Sequence, residues 1–272
     1  MLVPFTKFNG AGNDFVLVDN RTLGLHVTPA QAIRICHRQR GVGADGLLLL
    51  RDCGSGAADF AWEFIQCDGD TANMCGNGAR CFVRFVHGLM GHTNPITFET
   101  GAGVVSAFLN AAGDVSIRLP SPTDLVLHAS LALSFDPHAI VHFVNTGVPH
   151  AVLVVPDVDA IDVLVAGKDV RHHAHFGPKG TNVNFVQVLR LNHLRARSFE
   201  RGVEGETQAC GTGVAAAALV AARLHGFTSP VTIDVQSGAA LTVAFQVLAD
   251  GTFADVQLAG PAVATFTGII EV

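Results

Sequence analysis

The chain has 272 residues, of which 49% are hydrophobic and only 15% are charged. This length allows one large domain or two of ordinary size, and the composition is typical of a folded globular protein. A net charge of −6 without any run of Lys or Arg argues against a protein that binds nucleic acid through its phosphates. The longest apolar stretch, Val214 to Ala222, is much shorter than the roughly 20 residues of a membrane-spanning helix.

Cysteine usage indicates a reducing compartment. The first residues contain no basic segment followed by an apolar one, so the sequence shows no sign of a signal peptide. Six cysteines in such a chain are typical of reduced thiols, and we expect a cytoplasmic protein. Three of them, Cys36, Cys53 and Cys81, are interpreted as small buried hydrophobic residues.

The predicted elements follow the same order in two parts of the chain. An early strand is followed by a helical region, a buried strand, a loop with the sequence Cys-Gly-x-Gly, a helix and two further strands. Thr28 and Pro29 predict a helix start, Gly88 and Gly226 predict helix ends, and Ala112-Gly113-Asp114 predicts a turn. The predicted strands cover residues 15–19, 47–50, 96–100, 104–109, 151–155, 185–189, 231–235 and 241–247, and the helices after the cysteine motifs cover residues 79–87 and 214–225.

The repeated order reflects an internal duplication with an offset of 135 residues. Cys75-Gly76-Asn77-Gly78 aligns with Cys210-Gly211-Thr212-Gly213, and several Gly and Pro positions downstream align at the same offset. Strands outnumber helices, so an α+β fold is expected rather than a doubly wound sheet. Residues 119–123 are the best candidate linker, which gives an N-terminal half of residues 1–120, joined by the tail 262–272, and a C-terminal half of residues 121–261.

The two most informative residues are Cys75 and Cys210, which occupy equivalent positions in the duplication. Each precedes Gly-x-Gly at the start of a predicted helix, where glycine lets the backbone approach a ligand closely. The helix N-terminus offers N–H donors and partial positive charge, which favour a thiolate and can bind a carboxylate. Each half therefore combines a potential thiol base with a potential anion site.

Two such units suit the inversion of a carbon stereocentre. A base must remove the proton from one face of the carbon, and an acid must return a proton to the other face. One thiolate and one thiol can do this in both directions by exchanging roles. Backbone N–H groups can stabilise the carbanion through its carboxylate, so this scheme needs no cofactor. No metal site is predicted, because the spacings of Cys67, Cys75 and Cys81 lack the close pairs of zinc modules and the run from His172 to His175 is polar.

Five segments of the sequence resemble signatures of the diaminopimelate epimerase family. The two longest contain the cysteines. The five segments are NMCGNGARC at residues 73–81, FERGVEGETQACGTG at 199–213, KFNGAGNDF at 7–15, GVPH at 147–150 and GTNVNF at 180–185. They follow one another in the order that the family shows.

This resemblance implies two similar α+β halves, each a mainly antiparallel sheet wrapped around a central helix, with the active site in the cleft between them. It implies cofactor-independent interconversion of LL- and meso-2,6-diaminopimelate, a step of bacterial lysine and peptidoglycan synthesis. By resemblance, Cys75 and Cys210 are the acid/base residues, and His150 and Glu200 assist them. The implied substrate contacts are Asn13, Gln66, Gly76, Asn77, Asn182, Glu200, Arg201, Gly211 and Thr212.

The sequence departs from the family pattern at a few positions. Val148 and Gln66 each replace an Asn of many members, Gly46 replaces a Gln of some members, and the loop with Glu204 and Gly205 is one residue longer than in some. These departures leave open a related racemase of another amino acid, such as a proline-type racemase. A non-catalytic protein that binds a small molecule or a metal is the alternative from another class. A small-molecule partner is expected, and the oligomeric state, including a homodimer, stays open.

Overall fold

The computed structural model describes residues 1–91, 95–110 and 113–272, which contain seventeen strands and four α-helices. The strands are β1 (Leu2–Gly10), β2 (Asn13–Asp19), β3 (Gly46–Asp52), β4 (Phe60–Gln66), β5 (Ile96–Thr100), β6 (Gly103–Leu109), β7 (Val115–Arg118), β8 (Thr123–Leu131), β9 (Ala139–Asn145), β10 (Pro149–Val154), β11 (Asn182–Arg190), β12 (His193–Glu200), β13 (Gly205–Thr207), β14 (Val231–Asp234), β15 (Ala240–Val247), β16 (Phe253–Gly260) and β17 (Val263–Glu271). The helices are α1 (Pro29–Cys36), α2 (Gly76–Met90), α3 (Val163–Arg171) and α4 (Gly211–His225), and a 3₁₀ turn covers Ala174–Phe176.

Eight strands of the first half form hydrogen-bonded neighbours in the order β17-β1-β2-β3-β4-β5-β6-β7. The pairs β2–β3 and β4–β5 are parallel, and the other pairs are antiparallel. Strand β17 lies at the C-terminus of the chain and pairs with β1, which begins at the N-terminus. The first half is therefore built from both ends of the sequence.

The second half repeats this arrangement with the order β8-β9-β10-β11-β12-β14-β15-β16. Its parallel pairs, β10–β11 and β12–β14, occupy the same places in the order as those of the first half. The short strand β13 forms an additional antiparallel pair with β12. The predicted α+β fold of two similar halves, each with a mainly antiparallel sheet, is confirmed. Contacts between Cα atoms divide the chain into the units Met1–Ile117 with Gly260–Val272 and Arg118–Ala259.

Each sheet surrounds one fifteen-residue helix, α2 in the first half and α4 in the second. Helix α2 packs Phe82 and neighbouring apolar residues into a core that includes Trp62 and Phe98, with ring centroids 4.8–5.8 Å apart. Helix α4 contacts its sheet through residues 214–221, which are all buried and of which five are alanines. Small side chains let the strands approach α4 closely, whereas α2 fills the same position with aromatic volume.

Both central helices begin after a cysteine and end at a glycine in the left-handed region. Gly91 has a φ of 58° and Gly226 a φ of 66°, and glycine adopts this conformation without steric cost. The predicted end at Gly226 is confirmed. The predicted end at Gly88 is wrong, because Gly88 keeps helical geometry and α2 continues to Met90.

Other local predictions are mostly confirmed. Helix α1 starts after Thr28 with a full capping box, in which the Thr28 and Gln31 side chains each bond the other residue's backbone N–H. Cys36 and Cys81 are buried as predicted. The prediction for Cys53 is wrong, because this thiol is partly exposed and contacts Ser55 and Glu99.

Two remaining predictions concern irregular segments. Residues 119–122 of the predicted linker lie outside helices and strands, and Thr123 begins β8. The predicted turn at Ala112-Gly113-Asp114 begins outside the described residues. Within the described ranges, no helix has the length and apolar character required to cross a membrane.

Two glycine substitutions test the packing of α2. A Cβ atom at Gly10 would lie 2.8 Å from the Asn77 carbonyl oxygen and from the Cys81 sulfur, so β1 and α2 would have to separate. We expect Gly10→Ala to destabilise the protein by about 1–3 kcal/mol, as overpacking does. Gly88→Ala meets no atom within 4 Å and should stabilise α2 by about 0.5–1 kcal/mol. Urea denaturation of both variants measures these effects. A Gly10→Ala variant with the same free energy of unfolding as the wild type would contradict the packing of β1 against α2.

Candidate active site

Cys75 forms the N-cap of α2 in the first half. Its backbone is extended, with φ −146° and ψ 119°, and its sulfur accepts a hydrogen bond from the Gly78 amide at 3.4 Å. Gly76 and Asn77 are the first helical residues, so their N–H groups belong to the helix N-terminus. The thiol is partly exposed and therefore accessible. The predicted thiol and the predicted anion-binding backbone lie together at this point.

A relay of amide hydrogen bonds links Asn13 and Asn77 below this helix start. The Arg80 guanidinium donates to Asn77 Oδ1 at 2.7 Å, and Asn77 Nδ2 donates to Asn13 Oδ1 at 2.6 Å. Asn13 Nδ2 in turn donates to a carboxylate oxygen of Asp45 at 2.8 Å. An arginine can only donate and an ionised carboxylate can only accept, so both amide orientations are fixed.

The far end of the relay is a cluster of charges on β1, β2 and the segment before β3. Arg38 binds both carboxylate oxygens of Asp14 at 3.0 Å and Asp45 at 2.7 Å, and Lys7 contacts Asp14 at 2.8 Å. Burial opposes ionisation of Asp14, but hydrogen bonds from Arg38 and Lys7 outweigh it and hold its pKa below the usual value. This cluster keeps Asp45 in place as the acceptor for Asn13.

Cys210 forms the N-cap of α4 and is 5% exposed. Its sulfur lies 3.8 Å from the Thr212 hydroxyl oxygen, and that oxygen lies 2.9 Å from His150 Nε2. The His150 ring is fully buried, and its Nδ1 accepts a hydrogen bond from Asn184 Nδ2 at 3.1 Å. His150 therefore reaches Cys210 through Thr212 rather than directly.

Asn184 determines which nitrogen of His150 carries the proton. Asn184 Nδ2 also donates to the Ala151 carbonyl at 3.1 Å, while Asn184 Oδ1 accepts from the Ser198 hydroxyl at 2.9 Å. Because the amide nitrogen faces His150, Nδ1 is the acceptor and the proton is on Nε2. Burial, together with a smaller contribution from the charge of Arg201, lowers the pKa of His150 to about 3, so the ring is neutral.

Glu200 interacts with the Cys210 thiol through a hydrogen bond and through its charge. Burial raises the pKa of Glu200, while hydrogen bonds from Thr207, at 2.5 Å, and from the Cys210 thiol oppose that effect. Burial also raises the pKa of Cys210 well above that of an ordinary thiol, and the negative charge of Glu200 adds to this effect. The geometry places a carboxylate where it can accept the proton of this thiol.

Asn182 and Arg201 meet through the backbone. Asn182 Oδ1 accepts from the Arg201 amide at 2.8 Å, and Asn182 Nδ2 donates to the Pro149 carbonyl at 3.2 Å. The Arg201 side chain lines a cavity of about 440 Å³ together with Lys179 and His175. The other lining residues are Val126, Phe143, Pro149, Phe176 and Gly180. This cavity has an apolar wall and basic side chains, which suits a ligand with an anionic end.

The longer loop after Arg201 is held by an ion pair. Arg171 of α3 donates to Glu204 Oε1 from two nitrogens, at 3.2 and 3.0 Å, and the Gly202 amide donates to the same oxygen at 3.0 Å. His172 lies 3.3 Å from the other oxygen of Glu204. Glu204 therefore anchors the segment that carries Arg201.

The other predicted site residues have backbone roles in the described structure. Gln66 ends β4, where its N–H donates to the Asp70 carbonyl at 2.8 Å. Gly46 is packed against Phe64, because a Cβ atom would lie 2.5 Å from the ring. Gly211 similarly faces Leu258 at 2.7 Å. No side chain larger than hydrogen fits at Gly46 without a shift of Phe64.

Matching strand registers and the common helix offset identify equivalent positions in the two halves. The equivalent pairs are Phe15 and His150, Gly46 and Asn182, Gln66 and Glu200, Asn77 and Thr212, and Arg80 and Ala215. The second half thus has an imidazole and a carboxylate where the first half has Phe15 and Gln66. The first half has a buried guanidinium where the second half has Ala215.

Sequence reasoning missed four residues that organise the site, namely Asp45, Arg80, Asn184 and Thr207. Arg80 could have been noticed, because it is a charged residue on the apolar face of a predicted helix, five residues after Cys75. Asn184 could likewise have been noticed as a polar residue between the apolar residues Val183 and Phe185. The roles of Asp45 and Thr207 depend on contacts between distant segments and have no local signal.

Comparisons with known proteins add to this geometry. A family model described as diaminopimelate epimerase matches residues 5–120 and 142–254. The diaminopimelate epimerase of Aquifex aeolicus strain VF5 is 42% identical over 89% of this chain and 90% of that protein. The diaminopimelate epimerase of Chlorobaculum tepidum is 40% identical over 96% of this chain and 99% of its own length.

Solved structures with lower sequence identity show the same fold. A phenazine biosynthesis protein of the PhzF family from Bacillus anthracis covers 100% of both chains, with a TM-score of 0.77 and 16% identity. A hydroxyproline epimerase from Agrobacterium vitis covers 99% of this chain and 91% of that chain, with a TM-score of 0.69 and 15% identity.

These matches define an enzyme of the isomerase class, a racemase or epimerase. The sequence matches narrow this further, since they extend over nearly the whole chain at about 40% identity. The chain belongs to the diaminopimelate epimerase family. The resemblance and the enzyme class inferred from the sequence are confirmed.

The buried His150 predicts a pH dependence of stability. Its pKa is about 3 in the folded state and about 6.5 in an unfolded chain, so the unfolded state binds one more proton between these values. Stability is therefore lost as the pH falls below about 6.5. At pH 5 this residue contributes a slope of about 1.4 kcal/mol per pH unit, and we expect His150→Gln to remove it. Urea denaturation of both proteins between pH 4.5 and 7 measures the slopes, and equal slopes would contradict a neutral buried His150.

Proposed function

We propose that this chain interconverts LL- and meso-2,6-diaminopimelate without a cofactor, with Cys75 and Cys210 as the two acid/base residues. The observation that carries the proposal is the pair of N-cap cysteines at equivalent starts of α2 and α4. Membership of the diaminopimelate epimerase family supports the substrate, because the relatives matched over nearly the full chain carry that name. The product serves lysine and peptidoglycan synthesis in bacteria under this proposal.

The proposed reaction has two proton transfers, one that removes a proton from the α-carbon and one that returns a proton to it. The thiolate of one cysteine takes the α-proton, and the electron pair of the C–H bond passes into the α-carboxylate as a carbanion or enolate. The thiol of the other cysteine then gives its proton to the opposite face of the carbon. The product is the inverted isomer, and the two sulfurs have exchanged protonation states. The cycle runs equally in reverse.

The helix N-termini supply the groups that stabilise the negative charge. The amides of Gly76 and Asn77 on α2, and those of Gly211 and Thr212 on α4, belong to first turns whose N–H groups lack acceptors within the helix. Such donors stabilise the α-carboxylate more strongly as charge develops during proton removal. Neighbouring Gly-x-Gly residues let a substrate approach this backbone closely.

The distal amino acid group is assigned to residues around β2, β4 and the Arg201 loop. Arg201 suits the distal carboxylate because its guanidinium binds carboxylates through two hydrogen bonds. Asn13, Gln66 and Asn182 are assigned to the same end of the substrate. Val148 offers no side-chain hydrogen bond. That contact is assigned instead to Lys179 and His175, the polar residues that line the cavity together with Arg201. The cytoplasmic location and a homodimer remain predictions.

Hydrogen exchange with solvent tests the reaction and the substrate together. Reduced protein is incubated in deuterated water with LL-diaminopimelate, and separately with L-proline, trans-4-hydroxy-L-proline and other L-amino acids. We expect α-deuteration with formation of the meso isomer for diaminopimelate alone. Exchange with another amino acid instead would identify that compound as the substrate and would still support the two-base mechanism. Folded, reduced protein without any exchange would contradict the proposed activity.

Cysteine substitutions test the two-base assignment. Cys75→Ser and Cys210→Ser should each lower kcat for epimerisation by at least about 10²–10⁴-fold, because a hydroxyl ionises far less readily than a thiol. Cys67→Ser is the matched control, since Cys67 is exposed on the segment after β4 and should retain wild-type turnover. Rates come from the appearance of the inverted isomer. A Cys210→Ala variant that still inverts the substrate would overturn the two-base assignment.

A further inference from the structure

Arg80 is a fully buried arginine on α2, with a relative exposure of 0%. In the described part of the chain it donates to uncharged acceptors, the carbonyls of Gly76 and Pro261 at 3.5 Å and the side-chain oxygen of Asn77 at 2.7 Å. A buried charge is costly unless opposite charge lies nearby. Burial lowers the pKa of Arg80, but an arginine remains protonated in proteins. The site therefore holds a buried positive charge that the reaction scheme above does not use.

The guanidinium lies beside the first turn of α2, because it contacts both residues that follow Cys75. The groups whose ionised forms would favour protonated Arg80 are, in order of strength, Cys81, Cys75 and Asp114. A Coulomb interaction acts equally on both partners, so Arg80 favours the ionised form of the Cys75 thiol as much as that thiolate favours Arg80.

Neighbouring groups leave Cys75 as the thiol that gains most from this charge. Burial raises the pKa of Cys81 far above that of an ordinary thiol, so Cys81 stays protonated despite Arg80. Asp114, which precedes β7, is the weakest of the three influences on Arg80. On β1 and β2, Lys7 and Asp14 pair with each other at 2.8 Å. The hydrogen bond from the Gly78 amide to the Cys75 sulfur acts in the same direction as Arg80.

The second half has the opposite electrostatics at the equivalent cysteine. Ala215 occupies the position of Arg80, so no cation of α4 lies at that place. Glu200 occupies the position of Gln66 and faces Cys210 with negative charge. The imidazole of His150 is neutral. The charged group beside Cys75 is therefore positive and the one beside Cys210 is negative, although the helices that carry the two cysteines are equivalent.

We propose that Arg80 is a positioning residue whose buried positive charge keeps Cys75 as the thiolate of the resting enzyme, while Glu200 keeps Cys210 as the thiol. In that state Cys75 is the base that takes the first proton and Cys210 is the acid. The isomer whose α-hydrogen faces Cys75 is the one that the resting enzyme accepts. The inference rests on the proposed two-cysteine function for its meaning in catalysis, but the protonation states it assigns are measurable without substrate.

The test is the pH dependence of cysteine alkylation. Unliganded protein is pulsed with iodoacetamide between pH 5 and 10, and peptide mass analysis follows each cysteine separately. In the wild type we expect the midpoint for Cys75 to lie below the value of about 8.5 for a free thiol, and that for Cys210 to lie above it. A Cys75 midpoint equal to or above that of Cys210 would overturn the proposal without any variant.

Two substitutions then isolate the charge of Arg80. Arg80→Met keeps a long side chain without charge, and we expect the Cys75 midpoint to rise by at least about one pH unit, which slows alkylation about tenfold at pH values well below both midpoints. Arg80→Lys keeps the charge and should restore most of that rate, which a purely structural role would not do. Cys67 in the same digests is the internal control and should keep its wild-type profile. An unchanged Cys75 profile in folded Arg80→Met would contradict the proposal.

A matched substitution in the second half should act in the opposite sense. Glu200→Gln removes negative charge beside Cys210, so we expect the Cys210 midpoint to move to lower pH while that of Cys75 stays unchanged. Equal midpoints of Cys210 in the wild type and this variant would contradict the role given to Glu200. If alkylation behaves as expected but diaminopimelate is not a substrate, the substrate proposal fails and the charge assignment stands.

Discussion

Everything at this site depends on how each half places the N-terminus of a helix inside a sheet. The first N–H groups of a helix have no acceptors within it, so a buried start must be capped by side chains, water or ligand. Here the cap position is a cysteine followed by Gly-x-Gly, in both α2 and α4. A thiol is a poorer cap than the Ser, Thr or Asp that helices prefer. Under the proposed function, the first-turn amides bind the substrate carboxylate, and the cap position places a titratable sulfur beside them.

The duplicated scaffold and the unequal chemistry of its halves have different physical origins. The scaffold is the same in both halves because the strand order, the parallel pairs and the lengths of the central helices repeat. The chemistry differs because the positions around the cysteines carry different side chains: Phe15 against His150, Gln66 against Glu200, and Arg80 against Ala215. A two-base reaction needs one ionised and one protonated sulfur at any moment, and identical halves would give both sulfurs the same affinity for protons. Unequal surroundings remove that degeneracy.

The sequence predicts the parts of this structure that have local signals. The cysteine motifs, the capping box at Thr28, the glycine end at Gly226 and the duplication depend on short patterns, and each is found in the structure. The predicted strands correspond to β2, β3, β5, β6, β10, β11, β14 and β15, and the other strands are not predicted. Among the missed strands, β8 and β17 lie at sheet edges, and their exposed sides lack a clear apolar alternation. Gly88 misled the prediction because glycine ends a helix only when it adopts the left-handed conformation, which Gly91 adopts instead.

The site residues divide in the same way. Cys75, Cys210 and the backbone of the following turns can be located from sequence, since motif and chemistry coincide there. The contacts of their partners cannot be, because Thr207 and Asp45 have no local signal and the contacts of Asn184 depend on strand register across long separations. The tautomer with which His150 contacts Thr212 depends on the orientation of the Asn184 amide, which follows from the Ala151 carbonyl. No sequence pattern encodes that orientation.

The hydrogen-bond relay below α2 connects Arg80 to Asn13, a predicted substrate contact. Because Arg80 can only donate, Asn77 must turn its oxygen toward it and its nitrogen toward Asn13, and Asn13 must turn its nitrogen toward Asp45. An amide nitrogen carries two hydrogens, so Asn13 has a second N–H beyond the one given to Asp45. A buried cation thus fixes the amide of a predicted substrate contact as a donor, which matches a carboxylate better than an ammonium. In the proposed scheme, the guanidinium that stabilises the Cys75 thiolate would therefore also select the charge of the group bound beside Asn13.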